Sequence, residues 1–534
     1  MEISKLQILR ISITSIVVAI VSIVVFFVYQ KFSDENAASK TNLMLLIPDN
    51  CDAFFNISEF DKLEEIGQNY LVKSYISQKS NPSIFKTLIQ LRPYFMTEEW
   101  KGAESSVHQM IISLHSWENT HAELVLFKMA AGDNERIEDV LDKFFKSSFK
   151  PVNEENAGIR VKHYYVSTGI NFHCFFYKGI FAGSYNNRLI DETILRIHNQ
   201  GKENRDPDFL DITQETTTGA KLKFYIRLNG IPLQHLSKPE LNDTLNLTEW
   251  VAPDLEFKRN SIRMTAYTSP LFEKRNRLSI LIGQLTGRPL NPAVIAKECP
   301  FVIHYGLSDR DRFLQNQQII FGKQQSDTTL FRSDSLSIDS VFAEHFDSEI
   351  NIAYYPMMLP EKQLEKVVTI RLKNEDLLAE KLVKMSNLSA PKEKSPLPVN
   401  SLAQVLSPQI ITCAFGELFS FGEDEIYYDL HENYLIVAAR AETVAAYKKE
   451  LINGDNLNKK IWFNEISAEV DSKSNLFFIG KGDAFKEDLY ILPFGLPRFL
   501  IENQYLFRNS TFCFQFNAEE SFIYSNSIIK QLNP

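Results

Sequence analysis

Nowhere in the 534-residue chain do two cysteines stand close enough in sequence to share a metal. Cys51, Cys174, Cys299, Cys413 and Cys513 are scattered singly, with no C-x-x-C pair. That excludes zinc fingers and thioredoxin-type redox motifs. A small disulfide scaffold is excluded too, because a chain of this length builds its core without staples. The odd number leaves at least one thiol unpaired even in an oxidising compartment. Basic clusters are also missing. The 57 Lys and Arg face 67 Asp and Glu, for a formal net charge of −10, and no Lys/Arg cluster is interleaved with aromatics. A nucleic-acid binder needs a basic face to displace counterions, so that class is set aside. There is no G-x-S-x-G, which excludes a nucleophile elbow.

The short patterns that remain have plain readings. "SSFK" at Ser147–Lys150 fits S-x-x-K, but no S-D-N or K-T-G follows it. "GKGD" at Gly480–Asp483 lacks the rest of a phosphate loop and reads as a strand-to-helix turn capped by Asp483. "GEDE" at Gly422–Glu425 lacks the spacing of a calcium loop and reads as an acidic hairpin turn. Asp309 and Asp311 sit at a helix start beside Arg310 and Arg312, as surface ion pairs. His115 and His121 flank a hairpin turn, with no third ligand to complete a metal site. No residue is therefore assigned a catalytic, cofactor-binding or metal-binding role, and no cofactor is expected.

What is present begins with one long apolar run. Twenty uncharged residues, "ISITSIVVAIVSIVVFFVYQ", lie between Arg10 and Lys31. As a helix they span about 30 Å, the thickness of a bilayer core. The run is too long for a signal peptide and ends in bulky Phe26, Phe27 and Tyr29. It predicts a single-pass anchor over 11–30. Lys5 and Arg10 precede it, which predicts a cytoplasmic N-terminus over 1–10 and a linker over 31–42, with the bulk of the chain exported. No lipidated Cys follows the run.

The rest repeats itself. "KRNS" before Ile262 recurs as "FRNS" before Thr511, about 250 residues later. Four further pairs keep the same order at similar offsets. "CDAFFNISEFDKLEEI" from Cys51 pairs with "CPFVIHYGLSDRDRFL" from Cys299. "AELVLFKMAAGDNERIEDVLDKFF" from Ala122 pairs with "KVVTIRLKNEDLLAEKLVKM" from Lys366. "YKGIFAGSYNNRLIDETILRI" from Tyr177 pairs with "HENYLIVAARAETVAAYKKEL" from His431. "KLKFYIRLNGIPLQHL" from Lys221 pairs with "SNLFFIGKGDAFKEDL" from Ser474. Ordered recurrence predicts an internal duplication, with one copy over 43–288 and a second over 289–534. The two are expected to superpose with Asn260 on Asn509 and Cys51 on Cys299. The recurring unit is a strand, a polar cap and a helix, as at Asn374–Glu375–Asp376. The 40 Phe and 20 Tyr favour strands. "HYYVSTGINFHCFFYKGIFAGS" reads as three strands turning at Thr168–Gly169 and Lys178–Gly179. "GELFSFGEDEIYYDLHENYLIVAA" reads as three strands turning at Gly422–Asp424 and Glu432–Asn433. Each copy is thus expected to be α+β, a mostly antiparallel sheet with helices on one face. Ser389–Ser401, rich in Pro and Lys, reads as an exposed loop.

The short anchor, "LLIPDNCDAFFNISEFDKL", "YLIVAARAETVAAY" and the closing "FCFQFNAEESFIYSNSIIKQL" together resemble a family of single-pass envelope proteins of Bacteroidota-type bacteria, grouped as a domain of unknown function. The resemblance implies a periplasmic body on the inner membrane, no known activity and no site residues. Two functions are then weighed. The favoured one is a membrane-anchored periplasmic interaction or scaffold protein, an accessory subunit of an envelope assembly or export complex. Its partners would be the inner membrane, through the N-terminal helix, and other envelope proteins. The alternative is an envelope hydrolase with a site assembled from scattered carboxylates.

Overall fold

The computed structural model describes residues 21–22, 25, 41–59, 62–78, 82–95, 107–117, 120–129, 134–146, 149–199, 209–210, 222–228, 249–268, 277–285, 287–321, 338–358, 362–389, 403–483, 504–519 and 522–532. The anchor is the first correction. Among the described residues no helix is long and apolar enough to cross a membrane. A span needs about 20 consecutive apolar residues, whereas the longest helix described, Glu375–Ser389, has 15 residues and opens on two acids. The run at 11–30 falls, apart from Val21, Ser22 and Val25, outside the described residues. The single-pass anchor, the cytoplasmic N-terminus and the inner-membrane and periplasmic placement deduced from it are not retained.

The chain divides into two units, residues 1–68 with 75–226, and residues 69–74 with 227–534. The first holds β1 (Cys51–Ile57), β2 (Val107–Trp117), β3 (Thr120–Met129), β4 (Val152–Asn156), β5 (Ile159–Ser167), β6 (Ile170–Tyr177), β7 (Ile180–Ser184) and most of β8 (Leu222–Leu228). Their order across the sheet is β8-β1-β2-β3-β7-β6-β5-β4, antiparallel at each pairing. The turns form where the sequence predicts them. Lys178 and Gly179 both take positive φ, 46° and 74°, as a two-residue turn with the twist of its strands requires. Asn186 starts the helix Asn187–His198 by accepting from the Arg188 amide at 3.0 Å, and that helix buries Leu189, Ile190 and Ile194. The buried carboxylate of Glu123 serves the helix Ile84–Phe95. It accepts from the Ile84 amide at 2.5 Å and from the Ser83 and Tyr75 hydroxyls, each at 2.8 Å. A negative charge there meets the orphan amides and the positive end of the helix dipole.

The second unit holds β9 (Glu249–Val251), β10 (Asp254–Phe257), β11 (Ser261–Thr268), β12 (Phe301–Gly306), β13 (Phe346–Met358), β14 (Lys362–Leu372), β15 (Gln404–Leu406), β16 (Ile426–His431), β17 (Tyr434–Ala438), β18 (Leu476–Lys481), β19 (Ser510–Ala518) and β20 (Ile523–Gln531). Its antiparallel order is β10-β11-β20-β19-β18-β12-β13-β14-β17-β16-β15. Alternate residues feed two cores. Phe301, Ile303 and Tyr305 of β12 join Phe313, Phe342, Leu378 and Phe415 from helices on one face. Val302 of the same strand joins Val444, Tyr447, Trp462 and Phe463 from helices on the other. The expectation of helices on one face is therefore corrected here: both faces are covered, because strands such as "YLIVA" of β17 are apolar at every position. A third correction concerns "GELFSF". Gly416 ends the helix Pro408–Phe415 at φ 92°, and Glu417–Phe419 winds as a 3-10 turn rather than a strand.

The succession β8-β1-β2-β3-β7-β6 in the first unit is matched by β18-β12-β13-β14-β17-β16 in the second. Cys51 opens β1, and Cys299 stands just before β12. Asn260 and Asn509 enter β11 and β19, the two neighbours of the single strand β20. Their carbonyls accept from the amides of Gln531 and Leu532 at its end, at 2.8 and 2.7 Å.

Candidate functional site

The residues singled out in the sequence do not converge. Asp309 caps the helix Arg310–Phe321 by accepting from the Arg312 amide at 2.9 Å, and Asp311 pairs with Arg310 at 2.7 Å. Gly422, Glu423 and Asp424 form an exposed bend before β16. Lys150 is exposed, and Ser147 lies outside the described residues. Asp483 follows β18 in a turn. His115 is buried in β2, and His121 is paired with Ser116 rather than with it. The His115 ring sits between the Asn50 side-chain oxygen and the Ser113 hydroxyl, at 2.9 Å each. Burial pushes its pKa down to about 3, against an upward pull from Asn50. All five cysteines are free, and four are buried. Burial raises the thiol pKa of Cys174, Cys299 and Cys513, the opposite of what a nucleophilic thiol needs.

A buried polar cluster of the second unit went unnoticed in the sequence. It runs as a ladder across the second unit, His304 of β12 opposite Asn351 of β13, opposite Thr369 of β14. Glu349, fully buried, accepts from the Asn351 amide at 3.0 Å, the Tyr434 hydroxyl at 2.8 Å and the Asn291 backbone amide at 3.3 Å. Arg371 reaches Glu349 at 3.4 Å and Asp347 at 3.1 Å, and Arg288 reaches Asp347 at 3.0 Å. His304 is held between Asn351 at 2.7 Å and the Arg288 carbonyl at 2.9 Å. Each lone pair of Glu349 is spoken for from within the protein, so the cluster has structural work and no free group to offer a substrate. A polar letter inside an otherwise apolar strand, such as His304 in "FVIHYG", is the signal that would have found it.

Lys366 of β14 has an amine brought near neutrality. Burial lowers its pKa to about 8, against a smaller upward pull from Glu423. Its ammonium donates to the carbonyls of Ser420 at 2.8 Å and Leu418 at 3.3 Å and lies 5.1 Å from the centre of the Phe421 ring. These contacts clamp the segment after the 3-10 turn to β14.

At the surface of the first unit an apolar group gathers at one edge. β4 closes one edge of the first unit and, among the described pairings, joins only β5. Around it Phe149 and Val152 are each 63% exposed, with Tyr165 and Val166 also exposed. The Phe149 and Tyr165 rings meet edge to face at 4.9 Å. Glu154 and Glu155 on β4 are exposed beside them.

No protein-family model matches the chain, and no curated protein does. Among solved structures it is similar to "Structure of crystal form IV of TP0453", at 11% identity and a TM-score of 0.26, over 43% of this chain and 81% of that one. "Structure of crystal form I of TP0453" matches at 11% identity and a TM-score of 0.26, over 46% and 88%. Likeness at that level carries no argument about this chain.

Proposed function

We propose that this chain is an interaction protein built from two copies of one strand-and-helix unit, and that it engages a partner protein through the edge of the first unit. The carrying observation is the exposed Phe149–Val152–Tyr165 patch. Large apolar side chains gathered at one edge, rimmed by charge, have the make-up of a contact surface. Glu154 and Glu155 discourage pairing of another strand along β4. The partner is therefore a protein that presents an apolar side chain flanked by Lys or Arg, rather than an added strand. The repeated strand succession supports the duplication. The absence, among the described residues, of a convergent reactive set weighs against the hydrolase.

Complementation of a deletion strain tests this reading. Asp309→Ala, Asp311→Ala, Glu423→Ala, Asp424→Ala and His121→Ala each leave function intact on this account. Phe149→Ser with Tyr165→Ser abolishes it while the protein stays folded and abundant. A single polar substitution that abolishes function in a folded protein would favour an enzyme, since removing one catalytic group costs about 100-fold or more.

A further inference from the structure

The β5–β6 hairpin contains a pair of residues that the function above does not use. His163 and His173 stand directly opposite each other, both half-buried, with their Nδ1 atoms 2.5 Å apart. Behind His163, Glu154 Oε2 lies 3.2 Å from Nε2, near enough to pair with it although the two are not aligned as a hydrogen bond. We infer that His163 and His173 bind one first-row divalent cation of the zinc class through their Nδ1 atoms, with Glu154 holding the outer nitrogen of His163.

The backbone makes this pairing deliberately. Ser167 pairs with Ile170 across the turn, but Tyr165 pairs with Asn171, so Val166 is an extra residue in β5. Had the register of the turn continued, His163 would face Cys174. The bulge moves it by one residue and sets imidazole against imidazole. A one-residue shift also exchanges the faces of a strand. It leaves Lys162 and Tyr164 to the opposite face, where both meet Asp142, at 2.7 and 2.6 Å.

The chemistry of the pair follows. Two imidazole nitrogens this close form one hydrogen bond, the donor ring being set by its tautomer. A cation in place of that hydrogen uses both lone pairs. With Zn–N bonds of ~2.0–2.1 Å, tetrahedral geometry parts the nitrogens to roughly 3.3 Å. A shift below about 1 Å is small for two half-buried rings near a sheet edge. Imidazole suits zinc, copper and nickel better than it suits calcium or magnesium. A small turn of Glu154 onto the far nitrogen would fix the ring and the tautomer in which Nδ1 is the ligand. Among the described residues no three or more His, Cys, Asp or Glu side chains gather as a metal site. The cation therefore keeps open positions for water or a second ligand, as in a site that is not purely structural.

The test is Zn²⁺ titration of the full chain by calorimetry at neutral pH, with metal analysis after dialysis. One saturable equivalent per chain is expected. His163→Gln or His173→Gln should weaken it by at least about 10-fold, and Glu154→Gln by about 10-fold. His198→Gln, on an exposed helix end, should change nothing. Circular dichroism and thermal unfolding check that each variant is folded. No saturable Zn²⁺ binding by the unaltered chain would overturn the site without any variant. So would affinity undiminished in both folded histidine variants, which would place the metal on other groups.

Discussion

Glu349 shows how much one buried side chain carries. Removing it leaves the Tyr434 hydroxyl, the Asn351 amide and Arg371 facing a vacated site. Breaking a buried charged pair by deleting one partner costs about 3–5 kcal/mol. Glu349→Ala should therefore lower the denaturant midpoint of the second unit markedly, whereas Asp311→Ala, which removes an exposed carboxylate, should move it little. His115 predicts a pH dependence. Its folded pKa is about 3 against an unfolded value of 6.5. The unfolded chain thus binds the extra proton between those values, and stability falls as pH falls through that window. Between pH 6.5 and 5 the loss is about 2 kcal/mol. His115→Gln should flatten that limb relative to the unaltered protein in unfolding curves taken across it. Residues of this kind were poorly legible in the sequence. His163 and His173 are ten positions apart, and the turn alone sets His163 against Cys174. Only the bulge at Val166 brings the two rings together, and nothing in "HYYVSTGINFHC" announces it.

Elements were more legible where local chemistry decides them. Thr168–Gly169, Lys178–Gly179 and Glu432–Asn433 are turns because Gly and Asn accept positive φ. "GELFSF" misled because its Leu and Phe residues favour strands, while Gly416 had already redirected the chain into a 3-10 turn. Caps provide a measurable contrast. Asn186 accepts from the Arg188 amide, whereas Ser407, before the helix Pro408–Phe415, makes no side-chain cap bond. Asn186→Ala should cost about 1 kcal/mol in chemical denaturation, and Ser407→Ala should cost little. Equal effects would mean that the asparagine bond is not what starts its helix.

At the scale of the molecule, the antiparallel sheets were legible and the layers were not. The unbroken apolar run of β17, and that of β12 apart from His304, require cover on both faces, a signal that counts for more than the amphipathic helices between them. The anchor was an inference from an uncharged apolar run and its bulky end residues, and no described helix is long and apolar enough to cross a membrane. What remains is a protein without a convergent reactive set among its described residues and with an exposed aromatic edge. That is the central claim, and one measurement reaches it most directly. The native protein, extracted gently from its own cells, is compared with the Phe149→Ser, Tyr165→Ser variant for a co-purifying partner at fixed stoichiometry. The account predicts such a partner with the unaltered chain and its loss from the folded variant. A partner retained undiminished by that variant, or none with the unaltered chain, would contradict it.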